Sequence, residues 1–290
     1  MQPLAAIGLT AAGGLAYCLT EARLYALRRL DIPAPAVAAG MRILHISDLH
    51  LAPWDADRVR WVASLGALKP DLVIASGDFL AHRNSVKYAA QALAPLLPMP
   101  GVFVLGSNDY YAPRLKNPLS YLGSNTRRVH GAPLPTKELL GLLASGGWLD
   151  LDNARGALAI GGVHVEFRGT GDAHISLDHY ASVAGPWKPE SQLRLAVTHA
   201  PYSRVITAAA ADEPDLILAG HTHGGQITIP FATALTTNCD LPVSRARGLS
   251  WLPGPQGLVP LHVSAGVGTS PFFPVRLGCR PEATLITLIA

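Results

Sequence analysis

Residues 41–109 read MRILHISDLHLAPWDADRVRWVASLGALKPDLVIASGDFLAHRNSVKYAAQALAPLLPMPGVFVLGSND. Three apolar runs, RILHIS, LVIAS and VFVLG, each end on a polar cluster: Asp48-Leu49-His50, Gly77-Asp78 and Gly106-Ser107-Asn108-Asp109. Asp48, Asp78 and Asn108 stand 30 residues apart in the chain, about the length of a βαβ unit. Between the first two runs, DADRVRWVASLGAL sets Val59, Val62 and Leu65 on one helical face, and VKYAAQALAPLL is helical in the same way. Strand, helix and strand in alternation predict an α/β layer whose site lies at the carboxyl ends of the strands.

Further apolar runs follow at 157–167, 193–198, 215–220, 226–229, 261–266 and 284–289. Strands dominate this second half. The whole predicts a layered α/β fold, with two mixed β-sheets packed face to face and flanked by helices. Residues 110–135 break both periodicities and are expected to form a long functional loop or cap. On the other side of residues 41–109, the first 20 residues carry no charge, and Arg23, Arg28 and Arg29 follow them. Residues 1–30 are therefore read as a hydrophobic N-terminal helix and membrane anchor at the cytoplasmic face of the cell membrane. The competing reading is an ordinary docked helix or a processed leader. Residues 31–40, DIPAPAVAAG, are read as a linker, and 41–290 as the main domain.

Composition narrows the function. Charged residues are only 15% of the 290 and hydrophobic ones 49%, which excludes a disordered chain. A net charge of +3 is too small for a nucleic-acid binder. Three cysteines, far apart and odd in number, imply no disulfide framework. Eleven histidines are many for so uncharged a chain. His199 follows the run at 193–198, and His221 and His223 follow the run at 215–220. Each strand-end group alone reads as a helix cap or a satisfied polar residue. Together, Asp48, His50, Asp78, Asn108, His199, His221 and His223 offer mixed N/O ligands, enough for two first-row divalent metals.

These segments resemble the calcineurin-like metallophosphoesterase superfamily. The matching motifs are SDLH (47–50), SGDF (76–79), GSND (106–109), THAP (198–201) and GHTHGGQI (220–227). The similarity is greatest to a bacterial, membrane-associated branch, supported by SAGVGTSPFFPVR (264–276) and PEATLITL near the C-terminus. The resemblance implies two divalent ions (Mn, Fe or Zn), with Asp48, His50 and His223 on one, His199 and His221 on the other, and Asp78 bridging. It implies a hydrolase that cleaves phosphoester or diphosphate bonds by attack of a metal-activated hydroxide. Its partners would be phosphorylated small molecules or lipids.

One motif departs from the family. GSND puts Ser107 where the family has its ligand Asn, and Asn108 where it has the His thought to protonate the leaving group. Asn has no titratable proton to give. Either Asn108 serves as ligand with Ser107 a spacer, or Ser107 or water completes the second ion and Asn108 contacts the phosphate. His82, His130 or His174 would then replace the missing acid. The cap carries Arg114, Lys116, Arg127 and Arg128, and Arg127 and Arg128 are expected to bind anionic substrate. His45, His164, His179 and His262 lie in or beside strands and are read as structural. The alternative function is a metal-binding regulatory or scaffold protein with weak or no catalysis.

Overall fold

The structure, a computed structural model, describes residues 2–114, 130–228, 234–269 and 272–290, with side chains from residue 12 onward. Two six-stranded sheets carry the fold. The first contains β1 (Ala26–Pro33), β2 (Arg42–Ile46), β3 (Leu72–Ala75), β4 (Gly101–Phe103), β5 (Leu149–Asp150) and β12 (Glu282–Ile289), in the order β1-β12-β2-β3-β4-β5. Strands β2 to β5 run parallel, while β12 is antiparallel to β2 and parallel to β1. The second contains β6 (Arg155–Ile160), β7 (Val163–Thr170), β8 (Leu193–Thr198), β9 (Leu216–Ala219), β10 (Gly248–Pro253) and β11 (Leu258–Val263), in the order β10-β11-β9-β8-β7-β6. Here β7, β8, β9 and β11 are parallel, and the outer strands β6 and β10 are antiparallel to their neighbours.

The layers follow from burial. Strands buried on both faces read as near-continuous apolar runs, as LVIA and LILA do. Ile43, Leu72, Ile74 and Val102 from one sheet meet Val165, Phe167, Leu195 and Leu218 from the other in the central core. The far face of the first sheet is covered by α2 (Ala56–Ser64), α3 (Val86–Leu93) and α5 (Thr136–Ser145), through Val59, Val62, Leu93, Leu139 and Leu143. The far face of the second sheet is covered by α6 (Ser203–Ala211), through Ile206, Ala209 and Ala210. A short helix, α4 (Ser107–Tyr110), starts directly after the β4 run. The two-sheet layered fold is therefore as the alternation predicts.

The N-terminal segment differs from its reading. Helix α1 (Gln2–Glu21) ends before the arginines, and Ala26–Pro33 forms a strand that runs parallel to β12 over its full length. Ile32 is fully buried in the central core, and Arg28 pairs with Glu282 through Nε at 3.0 Å. Residues 26–33 are thus part of the sheet, neither helix nor linker, because β12 has an open edge whose backbone groups need a partner. Among the described residues, no helix is long and apolar enough to cross a membrane. The described residues therefore give the transmembrane reading no support, and Thr10, Gly13, Gly14 and Thr20 dilute the apolar content of α1. In the run at 226–229, the described residues 226–228 show isolated bridges at Ile227 and Thr228 in place of a regular strand.

Candidate metal centre

The carboxyl ends of β2, β3, β4, β8 and β9 converge, and the residues that follow them form the floor of a cleft. Five of them have left-handed backbones: φ is 52° at Asp48, 41° at His50, 57° at Asp78, 69° at His221 and 50° at His223. Left-handed geometry costs an L-residue about 1–2 kcal/mol, and such strain collects where surrounding structure imposes it, most often at functional sites. Close approach also demands glycine. A Cβ on Gly106 would lie 2.2 Å from Asp78 Oδ1, and one on Gly220 would lie 1.8 Å from Ser47 Oγ.

Two groups of ligand atoms result, each with its atoms within 4.8 Å of one another: Asp48, His50 and His223, and Asp48, Asp78 and His199. His50 Nε2 faces His223 Nε2 at 3.1 Å, with the rings stacked. Asp78 Oδ2 lies between the groups, 3.4 Å from His50 Nε2 and 3.4 Å from His199 Nε2. Orientation comes from the far side of each ring. His199 Nδ1 donates to the Ser76 carbonyl at 2.6 Å and His223 Nδ1 lies 3.1 Å from the Gly268 carbonyl, so both rings turn Nε2 inward.

His221 is brought to the same place by a different route. Its backbone N–H donates to Asp48 at 3.0 Å, while its Nε2 lies 3.3 Å from the Asn238 carbonyl. Its ring sits edge-on to His199 at 5.2 Å and within 4.5 Å of His174. The amide of Asn108 donates to Asp78 Oδ2 at 2.8 Å, and its backbone N–H donates to Asp78 Oδ1 at 2.8 Å. Asn108 therefore faces the site through Asp78.

The electrostatics suit cations. Asp48, Asp78, Asp109 and Asp172 are all buried, and among the described residues none pairs with Lys or Arg. Buried carboxylates need compensating charge. Burial pushes the Asp48 pKa up. Burial pushes the Asp78 pKa up too, but the imidazoles of His199 and His50 outweigh that and hold it well below the usual range. Burial lowers the basicity at this end: His50 is shifted down chiefly by burial, and His223 well down by burial and His50. Both rings are thus held neutral, the form in which an imidazole can bind a cation. Burial opposes protonation of His199 as well, yet Asp78 and Asp172 raise its pKa well above the ordinary value, so a cation there would displace a proton. Nδ1 of His50 and Nε2 of His199 are buried with no hydrogen-bond partner. Acceptor-rich, strained and short of donors, the site fits divalent ions.

Three supporting residues were not singled out from the sequence. Asp109 accepts backbone N–H groups from Gly106 (2.9 Å), Asp78 (2.9 Å), Phe79 (2.7 Å) and Leu80 (3.1 Å), tying the β3 loop to the β4 loop. Its place three residues after Gly106 was the available signal, since an acidic residue there caps a short helix. Arg276, fully buried, donates to the carbonyls of Ala265 (2.7 Å), Gly266 (3.1 Å) and Gly268 (2.7 Å) behind His223. Asp172, raised by burial to about 6, accepts the His174 N–H at 2.8 Å.

The cleft has a volume of about 360 Å³. Asp78, Asn108, His221 and His223 line its floor, and Ile227, Leu235, Phe272 and Phe273 line one wall. His174 lines it too, with Nδ1 3.1 Å from the Tyr202 hydroxyl, and His130 lines it stacked on Tyr111. His82 does not belong to the lining; it accepts the Asn84 N–H and packs edge-on against Trp54. His82 thus stands outside the cleft that His130 and His174 line. Arg114 lines the mouth, whereas Lys116, Arg127 and Arg128 lie outside the described residues.

Comparison with known proteins gives the same grouping. The family model described as calcineurin-like phosphoesterase matches residues 41–225. The phosphodiesterase YaeI of Escherichia coli is 28% identical over 265 residues, covering 87% of this chain and 83% of its own length. The metallophosphoesterase YkuE of Bacillus subtilis is 26% identical over 297 residues, covering 98% and 93%. A metallophosphoesterase of Aquifex aeolicus is 29% identical over 253 residues, covering 86% and 85%.

Proposed function

Since the chain belongs to the calcineurin-like phosphoesterase family, we propose that it is a hydrolase of phosphoester or diphosphate bonds with two divalent ions in its cleft. The observation that carries this reading is the pair of ligand groups sharing Asp48, with Asp78 Oδ2 equidistant from His50 and His199. Asp48, His50 and His223 would hold one ion. Asp78, His199 and His221 would hold the other, with Asp78 shared. Such ions (Mn, Fe or Zn) supply an activated water and neutralise phosphate oxygens.

The chain's own residues do the rest. Ser76 and Gly268 carbonyls fix the tautomers of His199 and His223, and Asp109 holds the loop that presents Asp78. Water adds to phosphorus, the bond to the leaving oxygen breaks, and that oxygen must gain a proton. Asn108 has none to give. Its amide, directed at Asp78, is placed to hold that carboxylate and to contact phosphate beside it. His174, on the cleft wall beside His221, is the imidazole placed to donate a hydrogen bond to the leaving group.

The apolar wall of Ile227, Leu235, Phe272 and Phe273 favours an ester whose leaving or remaining group is apolar, a lipid or aryl phosphoester among phosphorylated small molecules. Leu15, Tyr17 and Leu19 of α1 are exposed, and this supports peripheral association with the cytoplasmic membrane face in place of a span. A second reading, a metal-binding regulator with weak catalysis, draws on Asn108 standing at the usual position of the acid. Hydrolysis of bis-p-nitrophenyl phosphate with added manganese(II) separates the two. Turnover that Asp78→Asn abolishes supports the enzyme; metal binding without turnover supports the regulator.

A further inference from the structure

Two histidines meet in the central layer between the sheets. His45 of β2 is fully buried, and His262 of β11 is 2% exposed. Their Nδ1 atoms lie 2.9 Å apart, and His45 Nε2 lies 2.9 Å from Ser76 Oγ. A nitrogen–nitrogen contact of that length needs one N–H and one lone pair, so the two rings hold complementary tautomers. Burial pushes the His262 pKa down to about 4 and, together with His262, holds that of His45 well below the ordinary value. Both rings are therefore neutral near pH 7, and the pair is a brace and not a charge relay.

A pair of aliphatic side chains would fill this place with no polar group to satisfy. The histidines thus need an explanation in what they reach. Ser76 is the last residue before the chain turns left-handed at Gly77 (φ 91°) and Asp78 (φ 57°). Its N–H donates to Ile46 at 3.0 Å, which fixes it on the strand side. Its carbonyl leaves the ladder and accepts His199 Nδ1 at 2.6 Å. With backbone N–H and hydroxyl both held, rotation at Ser76 is restrained, and the carbonyl stays aimed at His199.

We infer that His45 and His262 are positioning residues: through the Ser76 hydroxyl they fix the carbonyl that turns the Nε2 of His199 toward Asp78. The inference rests on the metal-centre reading above. It assigns a role to two histidines that touch neither the cleft nor the proposed ligands.

The test is calorimetric titration of the full chain with manganese(II), alongside melting of the metal-free protein. The proteins compared are wild type, Ser76→Ala, His262→Leu, His262→Asn and the Ser76→Ala/His262→Leu double variant. Outer partners of metal ligands typically contribute 10–100-fold to affinity; acting through Ser76, this pair should give about 10-fold for the weaker ion. Ser76→Ala and His262→Leu should show equal losses, and the double variant no further loss, because both break one chain of contacts. His262→Asn, whose amide can stand where Nδ1 stands, should bind close to wild type. Ser76→Ala removes only a hydroxyl and keeps the test available should His262→Leu fold poorly. Lower melting temperatures with unchanged ion affinity, or losses that add in the double variant, overturn the inference. A wild type that binds no ion sinks the metal-centre reading itself; a wild type that binds two ions, with variants equal to it, sinks only this step.

Discussion

Replacing Asp109 with Asn changes one atom and should undo the loop that carries Asp78. The carboxylate accepts two N–H groups on each oxygen: Phe79 and Leu80 on Oδ1, Gly106 and Asp78 on Oδ2. An amide has one oxygen and one donor group, so in either orientation two buried N–H groups face an NH2. Each buried N–H group left unsatisfied costs about 1–3 kcal/mol, so the two amount to about 2–6 kcal/mol. Burial and the Asp78 carboxylate push the Asp109 pKa well up, so removing that acid offsets part of this, which favours the lower end. Even about 2 kcal/mol is a large share of a typical stability of about 5–15 kcal/mol. Urea denaturation followed by circular dichroism gives the stability, and metal analysis of the purified variant gives the local effect. Asp109→Asn within about 1 kcal/mol of wild type and with full metal content would refute the reasoning, because the four contacts would then not hold the loop.

Other outcomes follow from the same geometry. Gly106→Ala puts a methyl group 2.2 Å from Asp78 Oδ1 and 2.7 Å from His199 Nε2; the fold should persist while phosphoester hydrolysis drops on the order of 100-fold, measured by steady-state kinetics. Asp152, which accepts the Tyr110 hydroxyl at 2.8 Å, is raised by burial to about 7 from 3.8. Its folded form holds a proton more tightly than the unfolded chain, so its contribution is fully present below about pH 4 and is lost as pH rises toward 7, by roughly 4 kcal/mol at most. Denaturation of metal-free protein from pH 4.5 to 8 should therefore show Asp152→Asn gaining on wild type as pH rises, and parallel curves would contradict it. His174→Ala should slow alkyl phosphodiesters more than p-nitrophenyl esters, since only the poor leaving group needs help, and equal losses on both would remove His174 from that role.

What the sequence makes legible has a physical cause. Asp48, Asp78 and Asn108 stand out because each ends an apolar run, and strands buried on both faces cannot hide the change from apolar to polar. His221 and His223 stand out for the same reason after LILA. Edge strands are harder to see: ALRRLDIP buries fully only Ile32 and carries two arginines, so its pairing with β12 depends on a partner about 250 residues away. The role of Arg276 was hidden because it acts on backbone groups, which leave no pattern in side-chain spacing, while Asp109 left only a helix-capping signal three residues after Gly106. His82 and His174 look equivalent as text, each a few residues beyond a strand. Only the direction of the turns separates them, bringing His174 to the cleft and His82 to Trp54. The left-handed backbones at five site residues leave only a weak sequence signature, since Asp and His enter that region more often than most residues but far less often than glycine.

The proposed function has residues from four strand ends, those of β2, β3, β8 and β9, holding two divalent ions in one cleft. Its most direct measurement is the metal content of wild type and Asp78→Asn by elemental analysis after dialysis against manganese(II). About two ions per chain are expected for wild type and at most one for Asp78→Asn, whose amide cannot serve both groups. Equal metal content in the two proteins, or none in wild type, would contradict it.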